Sequence, residues 1–482
     1  MTSTILPSSR PRPPHGETRG RDTTSLLRDR FTAETGTVHL TGIQALVRMI
    51  RDRAIADRLR GLATSSYISG YEGSPLGGFD LELAKRLELM QEFDVIHQPA
   101  VNEELGATAA SGAQLNDTLG TRRPGVDGVV SYWYGKAPGL DRAADAFRHA
   151  NLIGTASTSG AVAIVGDDPT AKSSSVASNS SRILADLGMP TLVPADSADI
   201  LTLGQHAAWL SRECGLWTAL RVNTTVADGS STVTLGGAHP APEPPSQGHV
   251  PHARLLGQNV LDLEESKTGS RLRRALMYSR KHNLNRLVHA SPEDKVGVIA
   301  AGSSSLEVEE ALRSLGSPAR VRVARMGMTW PLDASEMEKF ATGLNHILVV
   351  EDLGNHLFET LRTTLYGSRT TPVLSHAHDA IRGIANMLRT EGIDFDEPAR
   401  TSVRRTLPLN VAKRVPHYCS GCPHNSSTRV APGTLVGAGI GCHSMVLMQD
   451  EERVGNIHGF SQMGGEGCQW MGISPFVEER HL

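Results

Sequence analysis

Cys419 and Cys422 stand two residues apart in "HYCSGCPHNS", and Cys442 follows in "GIGCH". The chain has only five cysteines, so this crowding asks for a chemical reason. Thiols at C-x-x-C spacing bind zinc, hold an iron–sulfur cluster or form a redox couple. Zinc would draw further ligands from His424, His443 and Cys442. The glycines around the thiols suit a cluster whose sulfurs accept backbone N–H bonds. Spacing alone leaves cluster, zinc and structural thiols open.

A second candidate is the carboxylate pair Glu103 and Glu104 in "QPAVNEELGATAASGAQ". Acidic residues at a helix start are favoured there and usually face solvent. The residues that follow, Gly106, Ala107, Ala109, Ala110, Gly112 and Ala113, let such a helix press closely on something flat. Glycine-rich loops supply the remaining candidates. Gly73 and Ser74 lie in "GYEGSPLGGFD", Lys136 and Arg142 in "WYGKAPGLDR", and Asp167 and Ser173 in "GDDPTAKSSS". Asp167 and Asp168 before Pro169 are also plain turn chemistry, and surface roles suffice for Lys136 and Arg142. "MGGEG" (463–467) is a further tight glycine turn.

The elements that must position these residues follow from pattern. A chain of 482 residues is long enough for two or three domains. High glycine and few aromatics fit a loop-rich α/β protein. A formal charge of -3 gives no reason to expect nucleic acid or a membrane surface as partner. No apolar run is long enough to span a bilayer, and no secretory signal opens the chain. An odd cysteine count without a signal points to a reducing, cytoplasmic setting. Residues 1–37, rich in Arg, Pro, Ser and Thr, are expected to form a disordered tail. "VHLTGIQALVRMI" shows a helical period at Ile43, Leu46, Val47 and Ile50. "SSYISG", "GVVSYWYGK" and "GAVAIVGDD" read as buried strands that each end in a loop. Their alternation with alanine-rich helices predicts a doubly wound parallel sheet with ligands at the strands' carboxyl ends. A Pro/Gly linker and a charged helical segment fill 236–293. A second βαβαβ unit follows from 294, its first helix opening on a capping box of Ser304 and Glu307. Cys214 reads as a buried core thiol.

Eight motifs, "LTGIQALVR", "ISGYEGSPLGGFD", "QPAVNEELGATAASG", "WYGKAPGLDRAADAFRHAN", "GDDPTAKSSS", "YCSGCPHNSST", "GIGCHSM" and "QMGGEG", occur in the order of their counterparts in one family. Over about 38–475 the chain resembles the long-form indolepyruvate ferredoxin oxidoreductases of the 2-oxoacid:ferredoxin oxidoreductase superfamily. The resemblance implies a thiamine pyrimidine-binding-like domain over 38–235 and a transketolase C-terminal-like α/β domain over 294–404. It implies an incomplete diphosphate-binding domain over 405–482. It also implies thiamine diphosphate, Mg²⁺ and a [4Fe–4S] cluster as cofactors. An aryl 2-oxo acid is oxidatively decarboxylated, coenzyme A takes the acyl group, and ferredoxin takes the electrons. Glu103 falls on the glutamate that hydrogen-bonds the aminopyrimidine ring. Ser74 lies near the reacting centre, with Gly73, Lys136, Asp167 and Ser173 lining the same cleft. Cys419, Cys422 and Cys442 match cluster ligands; the resemblance gives no reason for a cysteine at Cys468, and the fourth ligand stays open, with Cys468 one candidate.

The family's "GDG" motif, whose aspartate holds Mg²⁺, is not found in the chain. This implies a chain cut before that motif, with a loose, protease-sensitive 405–482 and no tight thiamine diphosphate binding by the chain alone. Either a homodimer or a completing subunit then supplies what is missing, or the chain is an inactive, binding-only product.

Overall fold

A computed structural model describes residues 23–118, 123–236, 241–245, 247–368, 372–397 and 417–478. Residues through Pro398 form one compact unit and those from Ala399 a second. The first unit holds two main sheets. One contains β2 (Thr64–Gly70), β3 (Val95–His97), β4 (Gly128–Lys136), β5 (Gly160–Asp167), β6 (Thr191–Leu192) and β7 (Thr218–Asn223). Its seven strands run in the order β12-β6-β7-β5-β4-β2-β3. All pairs are parallel except β12 (Met328–Trp330), which lies antiparallel on β6.

Alternation along the central strands divides the core between two faces. Val130, Tyr132 and Tyr134 of β4 join Val162 and Ile164 of β5 in the cluster that includes helices Gly42–Leu59 and Ser197–Cys214. Trp133 joins Ala161, Ala163 and Val165 in the cluster that includes Ala107, Ala110 and Phe147. Helices thus cover both sides, as a doubly wound sheet requires.

The second sheet comprises β9 (Asn285–His289), β10 (Val296–Ala301), β11 (Val321–Met326), β13 (His346–Val350) and β14 (Val373–Ala377). Its order is β14-β13-β10-β11-β9, with β9 antiparallel at the edge. In the second unit, β15 (Leu435–Gly439) and β16 (Asn456–Ser461) pair in parallel, with no third strand among the described residues. Tyr418, Ala438, Val446 and Val454 form its small core.

Several expectations change. The 1–37 tail is too long: Thr23–Thr32 is helical, and Phe31 is buried. β1 (Thr35–Thr41) pairs antiparallel along its whole length with β8 (Ser230–Gly236). Residues 1–22 lie outside the described residues. The second sheet begins at Asn285, inside the expected 236–293 linker, because β9 pairs with β11. Part of the Pro/Gly stretch also lies outside the described residues. The capping box of Ser304 and Glu307 is absent. Gly302, at φ +57°, stands at the N-cap, and Ser303, Ser304 and Ser305 are buried in the first turn. No described helix is long and apolar enough to cross a membrane.

A buried charge cluster pins the two helices on the first face. Asp57 accepts from Arg53 at 2.7 Å and from both terminal nitrogens of Arg212 at 3.0 Å, and Thr64 donates to it at 2.7 Å. Burial alone would push this carboxyl up, but Arg53 and Arg212 outweigh it and hold the group well below the usual carboxylate range. Its contribution to stability is therefore present above the unfolded carboxylate pKa of about 4 and lost as pH falls through the lower folded value. Asp57→Asn leaves two guanidinium groups uncompensated. In urea denaturation at pH 7 it should cost about 3–5 kcal/mol, and the gap to the parent should narrow below pH ~4.

Candidate functional site

The candidate site is built at the carboxyl ends of β2, β4 and β5. After Gly70 the chain turns through Gly73 and Ser74. The Ser74 hydroxyl lies 2.5 Å from that of Ser173, in the loop after β5. A Cβ on Gly73 would come 3.1 Å from Lys136 Cδ, so the lysine stem runs directly over this loop. Gly73, Ser74, Lys136 and Ser173 are thus brought together. Ser173 is held from behind by Asp168. The Asp168 carboxylate accepts from the backbone N–H of Ser173 at 2.8 Å and of Lys172 at 2.9 Å. Burial pulls this carboxyl up, but those amides outweigh it and keep its pKa below the ordinary value. Lys172 itself reaches outward to Asp228 at 2.7 Å.

Glu103 opens the helix Glu103–Gln114, capped by Asn102, whose side chain accepts from the Leu105 N–H at 2.8 Å. The buried residues of this helix are Glu103, Gly106, Ala107, Ala110 and Gln114. That is one stripe at helical spacing, and it decides between the two glutamates. Glu103 is 5% exposed, whereas Glu104 points to solvent. The small residues pack close to the sheet itself: a Cβ on Gly106 would lie 3.0 Å from the Gly70 Cα. Glu103 and Ser74 are therefore registered on the same end of β2. Trp133 donates its indole N–H to the Glu103 carbonyl at 2.9 Å. The side chain of Glu103 rests against Gly139, where a Cβ would stand 2.5 Å from Glu103 Cγ and 2.8 Å from Oε1. No side-chain hydrogen bond to the Glu103 carboxylate forms among the described residues. A buried carboxylate with a glycine opposite it fits the aminopyrimidine ring of thiamine diphosphate.

Asp167 does not line this cleft. It is the last residue of β5 and shares the parity of Ala161, Ala163 and Val165, so it turns inward. There it accepts from the Ser180 N–H at 2.9 Å, the Ser180 hydroxyl at 2.7 Å and Arg221 at 3.2 Å. Burial pushes its carboxyl up against the pull of Arg221. Arg142 is exposed. Cys214 is buried, and burial pushes its thiol up to about 12.

The other cysteines lie in the second unit. Cys419 and Cys442 are exposed and Cys422 half-buried. A turn joins the first pair, with the Cys422 N–H donating to the Cys419 carbonyl at 3.0 Å. The Cys422 sulfur lies 3.2 Å from His424 Nδ1. The His424 ring stacks on Tyr418 at 5.1 Å and faces His443, next to Cys442, at 6.4 Å. The two cysteine loops are therefore neighbours. Yet no three His, Cys, Asp or Glu side chains among the described residues converge as metal ligands. Cys468 is exposed at the start of the helix Cys468–Ile473. Neither the four-thiolate cage of a cluster nor a zinc site is assembled, and no Mg²⁺ cage is present among the described residues.

Sequence reasoning missed Gly139, Arg221 and Asp352. Arg221 carried a readable signal, a lone charge in the buried run "TALRVN". Gly139 carried none, since its role depends on what faces it.

Comparison with known proteins bears on this arrangement. The indolepyruvate oxidoreductase domain model matches residues 286–394. Indolepyruvate oxidoreductase subunit IorA of Methanothermobacter thermautotrophicus is 26% identical over 381 residues, 76% of this chain and 56% of that one. The IorA subunit of Pyrococcus horikoshii is 25% identical over 340 residues, covering 65% and 51%. The chain thus spans about half the length of these relatives. Among solved structures, a 2-oxoglutarate:ferredoxin oxidoreductase from Magnetococcus marinus superposes with a TM-score of 0.55 at 14% identity, covering 74% of this chain and 65% of that one. At such identity the likeness is one of fold. Domain match and relatives agree with the eight ordered motifs: over most of its length the chain is similar to the IorA subunits of indolepyruvate oxidoreductases.

Proposed function

We propose that this chain forms the thiamine-diphosphate part of an enzyme that oxidatively decarboxylates aryl 2-oxo acids, with coenzyme A as acyl acceptor and ferredoxin as electron acceptor. The observation that carries this reading is the buried Glu103 carboxylate, facing Gly139 and registered through Gly70 on the loop that bears Ser74. Bound thiamine diphosphate supplies a carbon nucleophile able to take up the 2-oxo carbon and release CO2. Glu103 accepts a hydrogen bond from a ring nitrogen of the aminopyrimidine and holds the proton there. Its low exposure keeps water from competing for that bond. Ser74 and Ser173, already in contact, offer hydroxyl donors beside the reacting carbon, and the Lys136 ammonium attracts the substrate carboxylate. Asp168 positions Ser173 by fixing its backbone.

Cys419, Cys422 and Cys442 are proposed as three ligands of a [4Fe–4S] cluster, the fourth coming from outside this set.

Glu103→Gln should lower arylpyruvate- and coenzyme A-dependent dye reduction by the assembled enzyme about 10²–10⁴-fold, the usual worth of a positioned proton-transfer group. Glu104→Gln, on the exposed side of the helix, should change it less than about twofold. Equal activity of Glu103→Gln and the parent would refute the assignment. Purified without oxygen, the assembled enzyme should carry iron and broad visible absorbance, both lost on Cys→Ala at 419, 422 or 442. Stoichiometric zinc with no iron would instead support a zinc site.

A further inference from the structure

Ser375, His346 and Glu391 stand in line on the second sheet, away from every residue assigned above. The Ser375 hydroxyl lies 2.7 Å from His346 Nε2, and His346 Nδ1 lies 3.5 Å from one carboxylate oxygen of Glu391. The other Glu391 oxygen accepts from the Asn345 side-chain amide at 3.3 Å. The fold accounts for this meeting. His346 opens β13 and pairs with Val373 in the parallel neighbour β14, where Ser375 follows two residues on. With a side-chain period of two, His346 and Ser375 leave the same face of the sheet. Leu348 and Val350 share that face and pack on Ile384 and Leu388 of the helix Ala380–Thr390, whose C-cap is Glu391.

A buried histidine bonded to a serine can be no more than a satisfied core group. Three observations go beyond that. His346 Nδ1 is buried and forms no hydrogen bond among the described residues, so the ring is not simply satisfied; the group it faces is the Glu391 carboxylate. Ser375 and His346 both line an open groove of about 380 Å³, with Leu348, Asn386 and Met387 beside them, so the hydroxyl is within reach of a ligand. The third concerns the backbone. The Val373 N–H donates to the Asn345 carbonyl at 2.8 Å, and the Ala377 carbonyl accepts the Glu351 N–H at 3.2 Å. Residues 373, 375 and 377 therefore turn their backbone groups toward β13, and the N–H of His376 points off the sheet edge. β14 has no second neighbour among the described strands, so that donor is left for something else.

We propose that Ser375, His346 and Glu391 form a second, acyl-transfer site that hydrolyses small carboxylic esters. Serine, imidazole and carboxylate in this order are the parts of a nucleophile, a general base and its orienting group. His346 accepts the Ser375 proton at Nε2 and keeps its own on Nδ1, directed at Glu391. That second bond is long without substrate, as such bonds commonly are in empty sites. The Ser375 oxygen attacks the acyl carbon while its proton passes to His346 Nε2. The oxyanion so formed accepts the N–H of His376, the residue after the nucleophile, which is the usual donor in serine hydrolases. His346 returns the proton to the leaving oxygen, which departs as an alcohol and leaves an acyl-serine. Water then attacks in the same way, gives its proton to His346, and releases the carboxylic acid with Ser375 restored. Glu391 touches no reacting atom and is a positioning residue. The groove's volume suits a small ligand.

The test uses the full chain with p-nitrophenyl acetate and, separately, with a fluorophosphonate that traps activated serines. Turnover above the buffer rate is expected, together with one label per chain located on Ser375 by peptide mass spectrometry. Ser375→Ala, a half-buried and nearly isosteric change, should keep the parent's melting temperature and lower turnover about 10²-fold or more. Glu391→Gln should lower kcat about tenfold or more with KM and melting temperature unchanged, which loss of packing alone would not do. No turnover above buffer, labelling only at other residues, turnover unchanged in Ser375→Ala, or kcat unchanged in Glu391→Gln would each overturn the proposal. Labelling of Ser375 in the parent decides the matter even where a variant fails to fold.

Discussion

A buried guanidinium stands at the centre of the polar seam between the two sheets of the first unit. Arg221, at the end of β7, donates to Asp167 at 3.2 Å and to both oxygens of Asp352, after β13, at 3.3 and 3.2 Å. Asn223 adds a bond to Asp352 at 3.1 Å and one to Ser303 at 2.9 Å. Asn179 reaches Asp352 and the Leu353 carbonyl. The loop after β5 is thus fastened at its far end through Ser180 and Asn179 and at its near end by Asp168. Ser173, between these anchors, has little freedom to leave Ser74. The seam between sheets and the geometry of the candidate site are one network.

The two carboxylates that share Arg221 settle differently. Burial pushes both up. Arg221, together with Asn223 and the Leu353 N–H, brings Asp352 below its ordinary value, whereas Asp167 stays above its own. Glu351, next along the chain, is also raised by burial despite accepting from the N–H groups of Leu357 and Phe358. One cation cannot neutralise three neighbouring carboxyls in a dry seam, and the poorer-solvated members carry the difference. The Asp57 cluster is the reverse case, with two guanidinium groups serving one carboxylate, and there ionisation wins.

Much of this was legible in the chain. Strands β2, β4 and β5 were readable as apolar runs ending in glycine turns, and Ser74 and Ser173 lie in the loops those runs predicted. Glu103 was set apart from Glu104 by resemblance, and the buried stripe of its helix gives the physical reason. Asp167 was misplaced because its side depends on strand parity. It ends β5 facing inward, while Asp168, one residue on, anchors the loop. The Ser304–Glu307 box failed because Gly302, with its positive φ, took the capping position and the serines were drawn into the core. Cysteine spacing showed which thiols are candidates. It could not show that their loops lie side by side without closing a cage, since that depends on the fold around them.

The short strand β12 carries a consequence of its own. Residues 328–330 follow β11 of the second sheet, yet they complete the edge of the first by pairing with Thr191 and Leu192. As the chain leaves the ribosome, the first sheet can assemble through β7 long before that strand exists. The β6 edge stays bare until well over a hundred further residues have been made, a long-range closure of the kind that slows folding and exposes nascent chains to mispairing. An excision between the two sheets would leave one module with an open flank and the other with a stray tail. Each sheet therefore depends on the other's chain segment to close.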